Sequence, residues 1–233
     1  EGVNPLGAEA ALTKEDVERT DHVVAVMGAE PIVVALEAGA DVVVAGRTCD
    51  DCIFAAYPIC KGFPRPESHH LGKLLECASL VVEPEMVKET ILGTVREDSI
   101  EVEPMHPDQR CTPRSFAAHS MYERVDPHAQ ALPGGVLDSS DAVYEPLSDR
   151  SCRVSGVRFR PDPVYRVKLE GAGKIGYRGF SVVGVRDPRA IGSLDPLLDF
   201  VDEQMKTDYP TLESDRGYKL LFHVYGRNGV MGE

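Results

Sequence analysis

The segment "AEPIVVALEAGADVVVAG", residues 29–46, constrains the fold more than any other. Pro31 falls in the first turn of a helix and Gly39 at its C-terminal cap. A continuous aliphatic run, Val42 to Ala45, follows, and aliphatic strands after helices are characteristic of buried parallel sheets. The loop "GRTCDD" then lies beyond the carboxyl end of the expected strand, where open α/β sheets gather their ligands. A chain of 233 residues, 42% hydrophobic and 27% charged, can bury such a sheet as one large domain or two small ones.

Around this segment, Thr13 and Asp16 form a capping-box pattern ahead of a helix expected over about 14–26. "HHLGKLLECASLVV" predicts a helix burying Leu71, Leu74, Leu75 and Ala78, with His69, Lys73, Glu76 and Cys77 on the other side. "EMVKETILGTVRED" reads as another helix, "SIEVEP" as a short strand, and "TPRSFAAHSMYER" as a helix capped by Thr112 with Pro113 at its first position. From about residue 131 the texture changes to alternating runs, "SCRVSGVRFRP", "VYRVKLEGAG" and "YRGFSVVGVRDP", expected as antiparallel strands and hairpins. A helix over about 194–206 and a strand "YKLLFHVYG" close the chain. The expected fold is therefore α/β, a mostly parallel buried sheet with flanking helices (1–130, the C-terminal part of a larger α/β domain), followed by a strand-rich antiparallel α+β portion (131–233).

A net charge of −13 and a pI near 5.0 oppose a nucleic-acid surface, which needs a basic footprint. No apolar run approaches the roughly 20 residues of a membrane-spanning helix, and no charged-then-apolar leader opens the chain. A cytoplasmic protein with six reduced cysteines is the expectation. The opening "EGVNPLGAEA" and the ending "YGRNGVMGE" read as those of a fragment.

Several groups could carry chemistry. Arg47 could grip a carboxylate or phosphate, with Asp50 or Asp51 as acid, base or orienter, or the loop could be held by a plain Arg–Asp pair. Cys49 and Cys52 form a C-x-x-C without a second pair, and the intervening aspartates would raise a thiol's pKa, so no metal set is assigned there. Spacings of three, four and seven align His69, Lys73 and Glu76 along one stripe, beside His70; an exposed Lys–Glu pair is the alternative. Arg114, His119, Tyr122 and Glu123 accompany one helix, either as a proton-transfer set or as a satisfied His–Tyr contact. "GAGKIG", 171–176, matches G-x-G-x-x-G but precedes a strand-like run, so it reads as a hairpin with Lys174 at its tip rather than a dinucleotide site. Between 150 and 178 eight basic residues face two acidic ones, a local +6 that could steer an anion or protect sheet edges.

Six stretches in order, "MGAEPIVVALEAGADVVVAGRTCDDCIFAA", "HHLGKLLECASLV", "RCTPRSFAAHSMYE", "RVSGVRFRP", "VKLEGAGKIGYR" and "YGRNGVMGE", resemble the acyclic terpene utilisation (AtuA-type) family over nearly the whole chain. "GRTCDD" and "LECASL" depart from the usual wording of those motifs. The resemblance implies a further N-terminal α/β portion and a role in catabolism of acyclic monoterpenes, small carboxylic acids or acyl-CoA. It specifies no cofactor. The expected activity is acid/base chemistry, as a hydratase, lyase or isomerase, on a small carboxylate or acyl-CoA. Lys73, Glu76, His119 and Tyr122 would be catalytic; Arg47, Asp50, His70, Arg114, Lys168 and Arg178 would bind the anionic substrate. A homo-oligomer is expected. The alternatives are a non-catalytic subunit completing a site with a small companion protein, and a metal-dependent enzyme using Asp50, His70 and Glu76.

Overall fold

The computed structural model describes residues 3–4, 11–84, 90–210, 217–227 and 229. Contacts divide the chain into two units, 1–175 and 176–233.

In the first unit Thr13 caps α1 (Lys14–Glu18) through a reciprocal capping box with Asp16. The expected longer helix stops there. "HVVA" becomes β1 (His22–Ala25), because its adjacent β-branched valines favour extended backbone and a partner strand is at hand. α2 (Glu30–Glu37) carries Pro31 in its first turn, and Gly39 follows its cap at φ +87°, a conformation that favours glycine. Then come α3 (Asp50–Cys60), α4 (Arg65–Leu75), a short 3-10 turn, Ala78–Leu80, β2 (Val82–Glu83), β3 (Ile91–Val95), β4 (Ser99–Pro104), β5 (Arg110–Cys111) and α5 (Pro113–Ser120). β6 (Ala129–Leu132), β7 (Gly135–Asp138), β8 (Val143–Pro146), β9 (Cys152–Ser155), β10 (Arg158–Pro161) and β11 (Leu169–Ala172) complete the unit. In place of the helix expected over "EMVKETILGTVRED", Ile91–Val95 is strand β3, and residues 85–89 lie outside the described residues.

The sheets are small and antiparallel, β3-β4-β9-β8, β10-β7-β6, β2-β5 and β1-β11, so the fold is α+β and the buried parallel sheet expected over 1–130 is not formed. Val42 to Ala45 is not a strand, and Val42 and Val44 are 81% and 94% exposed. One parallel rung survives nearby, Met27 with Thr48. Aliphatic content makes a run fit for a sheet but cannot supply the neighbouring strand whose N–H and C=O groups would hold it. β11 pairs with β1, not with "YRGFSVVGV", so "GAGKIG" is not a hairpin. Gly173 is required there: a Cβ would meet the Arg19 carbonyl oxygen at 2.5 Å.

The main core joins α4 and α5 to the four-stranded sheet through Leu71, Leu74, Ile100, Val102, Phe116 and Val154. Each such side chain contributes about 2–3 kcal/mol by burial. A second cluster, Ala29, Ile32, Cys52 and Ala56, joins α2 to α3. α4 touches α3, α5, β3, β4, β7 and β10, and His69, His70 and Lys73 are buried with the leucines. The polar face of α4 is thus interior, and the alternative of an exposed Lys–Glu pair is not what forms.

The second unit contains α6 (Pro188–Gly192), capped by Asp187, and α7 (Leu194–Asp208). Residues 218–226, expected as a strand, form none. None of the described residues of this unit is buried. Among the described residues, no helix is long and apolar enough to cross a membrane.

Candidate functional site

α4 positions the polar cluster because it is wedged against α3 at Gly72, where a Cβ would fall 2.2 Å from the Asp51 carbonyl oxygen. That approach brings Asp51, His69, His70, Lys73 and Glu76 into a buried layer, which α5 closes with His119 and Ser120. Polar groups in such a place cost free energy unless they pair or act on a ligand.

Lys73, 3% exposed, forms an ion pair with Glu76, and its ammonium lies 3.9 Å from Glu123 and 5.5 Å from the Tyr122 ring centroid. Burial raises the Glu76 carboxyl above its usual range, against the pull of Lys73. His119 stacks on Tyr122 at 5.7 Å, and among the described residues its imidazole nitrogens make no hydrogen bond of normal geometry, although the Lys73 backbone acts on the ring. Burial and the Lys73 ammonium lower its pKa to about 4, so at neutral pH it is an uncharged ring with an available lone pair. Glu123 adopts φ +59°; a non-glycine residue there stores local strain of the kind that collects at functional sites.

His70 is fully buried and is lowered to about 3 by burial, Arg124 and His119. Its Nε2 lies 2.9 Å from Ser120 Oγ, which donates its own proton to the Phe116 carbonyl. The network therefore assigns the proton to Nε2 and leaves Nδ1 bare and unpartnered. Arg124 is the member that the sequence reading missed. It donates from Nη1 to Ser139 Oγ at 2.9 Å, while Nε and Nη2 are buried without partners. Its position immediately after "SMYE" was the available signal, but nothing in the spacing distinguished it from the exposed Arg114.

Arg47 and Asp50 stand elsewhere, lining an open cleft of about 450 Å³ with Asp41, Thr48 and Tyr57. Arg47 Nε pairs with Glu170 at 2.8 Å, and Lys168 with the same carboxylate at 2.6 Å. Glu170, rather than Asp50, orients Arg47. Asp50 still adds to the field that raises Glu76. Arg178 is exposed in the second unit. Within the basic stretch Arg153 pairs with Glu101 and Arg160 with Asp138 across strands, and Arg158 pairs with Asp141 in the turn before β8. Such pairs favour strand pairing over anion steering.

The "CDDC" loop begins α3, with Cys49 as its N-cap and Cys52 in the first turn. A helix N-terminus is where thiol chemistry is found, contrary to the loop setting assumed from sequence. Yet Cys49, burial and Asp51 together push the Cys52 thiol far up, which rules it out as a free thiolate nucleophile at neutral pH. All six cysteines are free.

A profile describing the acyclic terpene utilisation family protein AtuA matches residues 4–231. The chain belongs to this family. Membership suggests a role in acyclic terpene utilisation, and the match embraces the Lys73–His119 cluster and the Arg47 cleft alike. No curated protein and no solved structure matches the chain at a significant level.

Proposed function

We propose that this AtuA-family chain is an acid/base enzyme, a hydratase, lyase or isomerase, acting on a small carboxylate or acyl-CoA derived from an acyclic terpenoid. The observation that carries the reading is the juxtaposition of Lys73, Glu76, His119 and Tyr122 in one largely buried cluster. Neutral His119 would take or return a proton at carbon, and Lys73 would stabilise the developing enolate charge. Arg124, with two unpartnered N–H edges, would hold the substrate's anionic group bidentately. Negative charge so bound opposes the Lys73 field at His119 and raises its pKa toward neutrality, where it becomes an effective acid as well as a base.

The test is solvent deuterium exchange at the substrate carbon next to the carbonyl, followed by NMR on a panel of branched unsaturated acids and their acyl-CoA esters. His119→Ala and Lys73→Met should each slow exchange about 100-fold or more. Unchanged exchange in both variants, on a substrate the wild type turns over, would refute the assignment.

A second reading is supported by the exposure of Val42 and Val44 beside the Arg47 cleft. Isolated exposed valines are ordinary, but a run on one loop marks a surface that a companion protein could cover. Under this reading the chain is a subunit whose site a partner completes, and a lone active homo-oligomer would exclude it.

A further inference from the structure

We propose that Cys49, Asp51 and Cys52 form a binding site for a thiophilic divalent cation of the zinc class, on the α3 side of the buried layer that also holds Lys73 and Glu76. Among the described residues, these three offer donor atoms that all lie within 4.8 Å of one another. Tetrahedral zinc with Zn–S bonds of about 2.3 Å requires donors about 3.8 Å apart, so the site needs a contraction of no more than about 1 Å, within reach of side-chain rotation. Two sulfurs select zinc or cobalt over magnesium or calcium, which prefer oxygen alone.

The two oxygens of Asp51 are already divided between two tasks. Oδ1 faces Cys52 Sγ at 3.6 Å, and Oδ2 lies 2.6 Å from His69 Nδ1. Both residues are about 1% exposed. His69 is in turn stacked on Phe159 at 5.4 Å. This is the arrangement of a carboxylate ligand oriented from behind by an outer histidine. Without a cation the loop sets a buried carboxylate against two thiols at a helix start. With one, the metal replaces the two thiol protons, which pass to water, and no electron moves. Half-buried Cys49 marks the side from which an ion enters, and three protein ligands leave a fourth position for water or substrate.

The experiment adds cobalt(II) chloride, then zinc chloride, to the reduced full-length protein. It follows the thiolate-to-cobalt charge-transfer band and visible d–d bands, proton release, and zinc content after gel filtration. Wild type should bind one ion per chain with tetrahedral bands and release of thiol protons. Cys49→Ser, a nearly isosteric change at a half-buried position, should abolish the charge-transfer contribution of one sulfur and weaken binding at least 10-fold. His69→Gln, checked for native circular dichroism, should weaken it about 10- to 100-fold. Cys60→Ser should bind as wild type does. Bands unchanged in Cys49→Ser, no zinc uptake by wild type with all thiols reduced, or a Cys49–Cys52 disulfide in freshly isolated protein would each overturn the proposal.

Discussion

His70 and His119 show how burial sets the chemistry of single residues. A histidine in the unfolded chain titrates near 6.5, whereas His119 is held at about 4 and His70 at about 3. On acidification the unfolded chain therefore takes up protons first. The stabilising contribution of the two neutral rings is fully present above about pH 6.5. It is lost as pH falls from there toward 4 for His119 and 3 for His70, at about 1.4 kcal/mol per pH unit for each ring. Glu67 and Glu76, raised by burial, act in the opposite sense and soften the slope at its acid end. Urea denaturation at pH 7.5, 6.0 and 5.0 should show wild type losing stability steadily, and His70→Gln losing it with a slope smaller by about one proton. An identical slope in the variant would mean that His70 is not a buried neutral ring.

At the scale of elements, the determining contact is the passage of α4 across α3. Gly72 permits it, and the colliding atom for any larger residue is backbone, which cannot rotate away. Gly72→Ala should therefore force the helices apart and lower stability by about 2 kcal/mol or more, within the range of overpacking costs. It should also disturb Lys73 and His69, which flank it on α4. Equilibrium unfolding, with the near-ultraviolet spectrum as a measure of packing, checks this, and a loss below about 0.5 kcal/mol would contradict it. The elements legible in the sequence are those with local punctuation. Thr112 with Pro113 starts α5 where expected, through a capping box to Ser115, and the helix at Glu30 and strand β4 lie where their residues predicted. Among the elements that differ from expectation, the extension of α1 and the strand at Val42 depend on partners far along the chain. β1 exists because Leu169–Ala172 lies beside it, and among the described residues no strand ladder lies beside Val42.

For the molecule as a whole, both hydrophobic clusters lie within residues 1–175, whereas no described residue of 176–233 is buried. A chain ending at residue 175 should keep a cooperative thermal transition in calorimetry, with the melting temperature lowered by no more than a few degrees. A broad, non-cooperative melt would show that the second unit is needed for the first to fold. The change of texture at residue 131 does not interrupt contacts, since β9 pairs with β4 and β10 packs near α4. The sequence by itself determined the family, the negative net charge, the capped helices, the short antiparallel strands and the residue types able to move protons, because these follow from composition, spacing and neighbours in the chain. Only the tertiary structure decided that α4 is buried on both faces, that Glu170 holds Arg47, that Arg124 joins Lys73 and His119, and that Asp51 divides its oxygens between Cys52 and His69. Each of these depends on groups brought together from distant parts of the chain, where burial strengthens fields and leaves unpaired atoms, and no local pattern records which distant group will arrive.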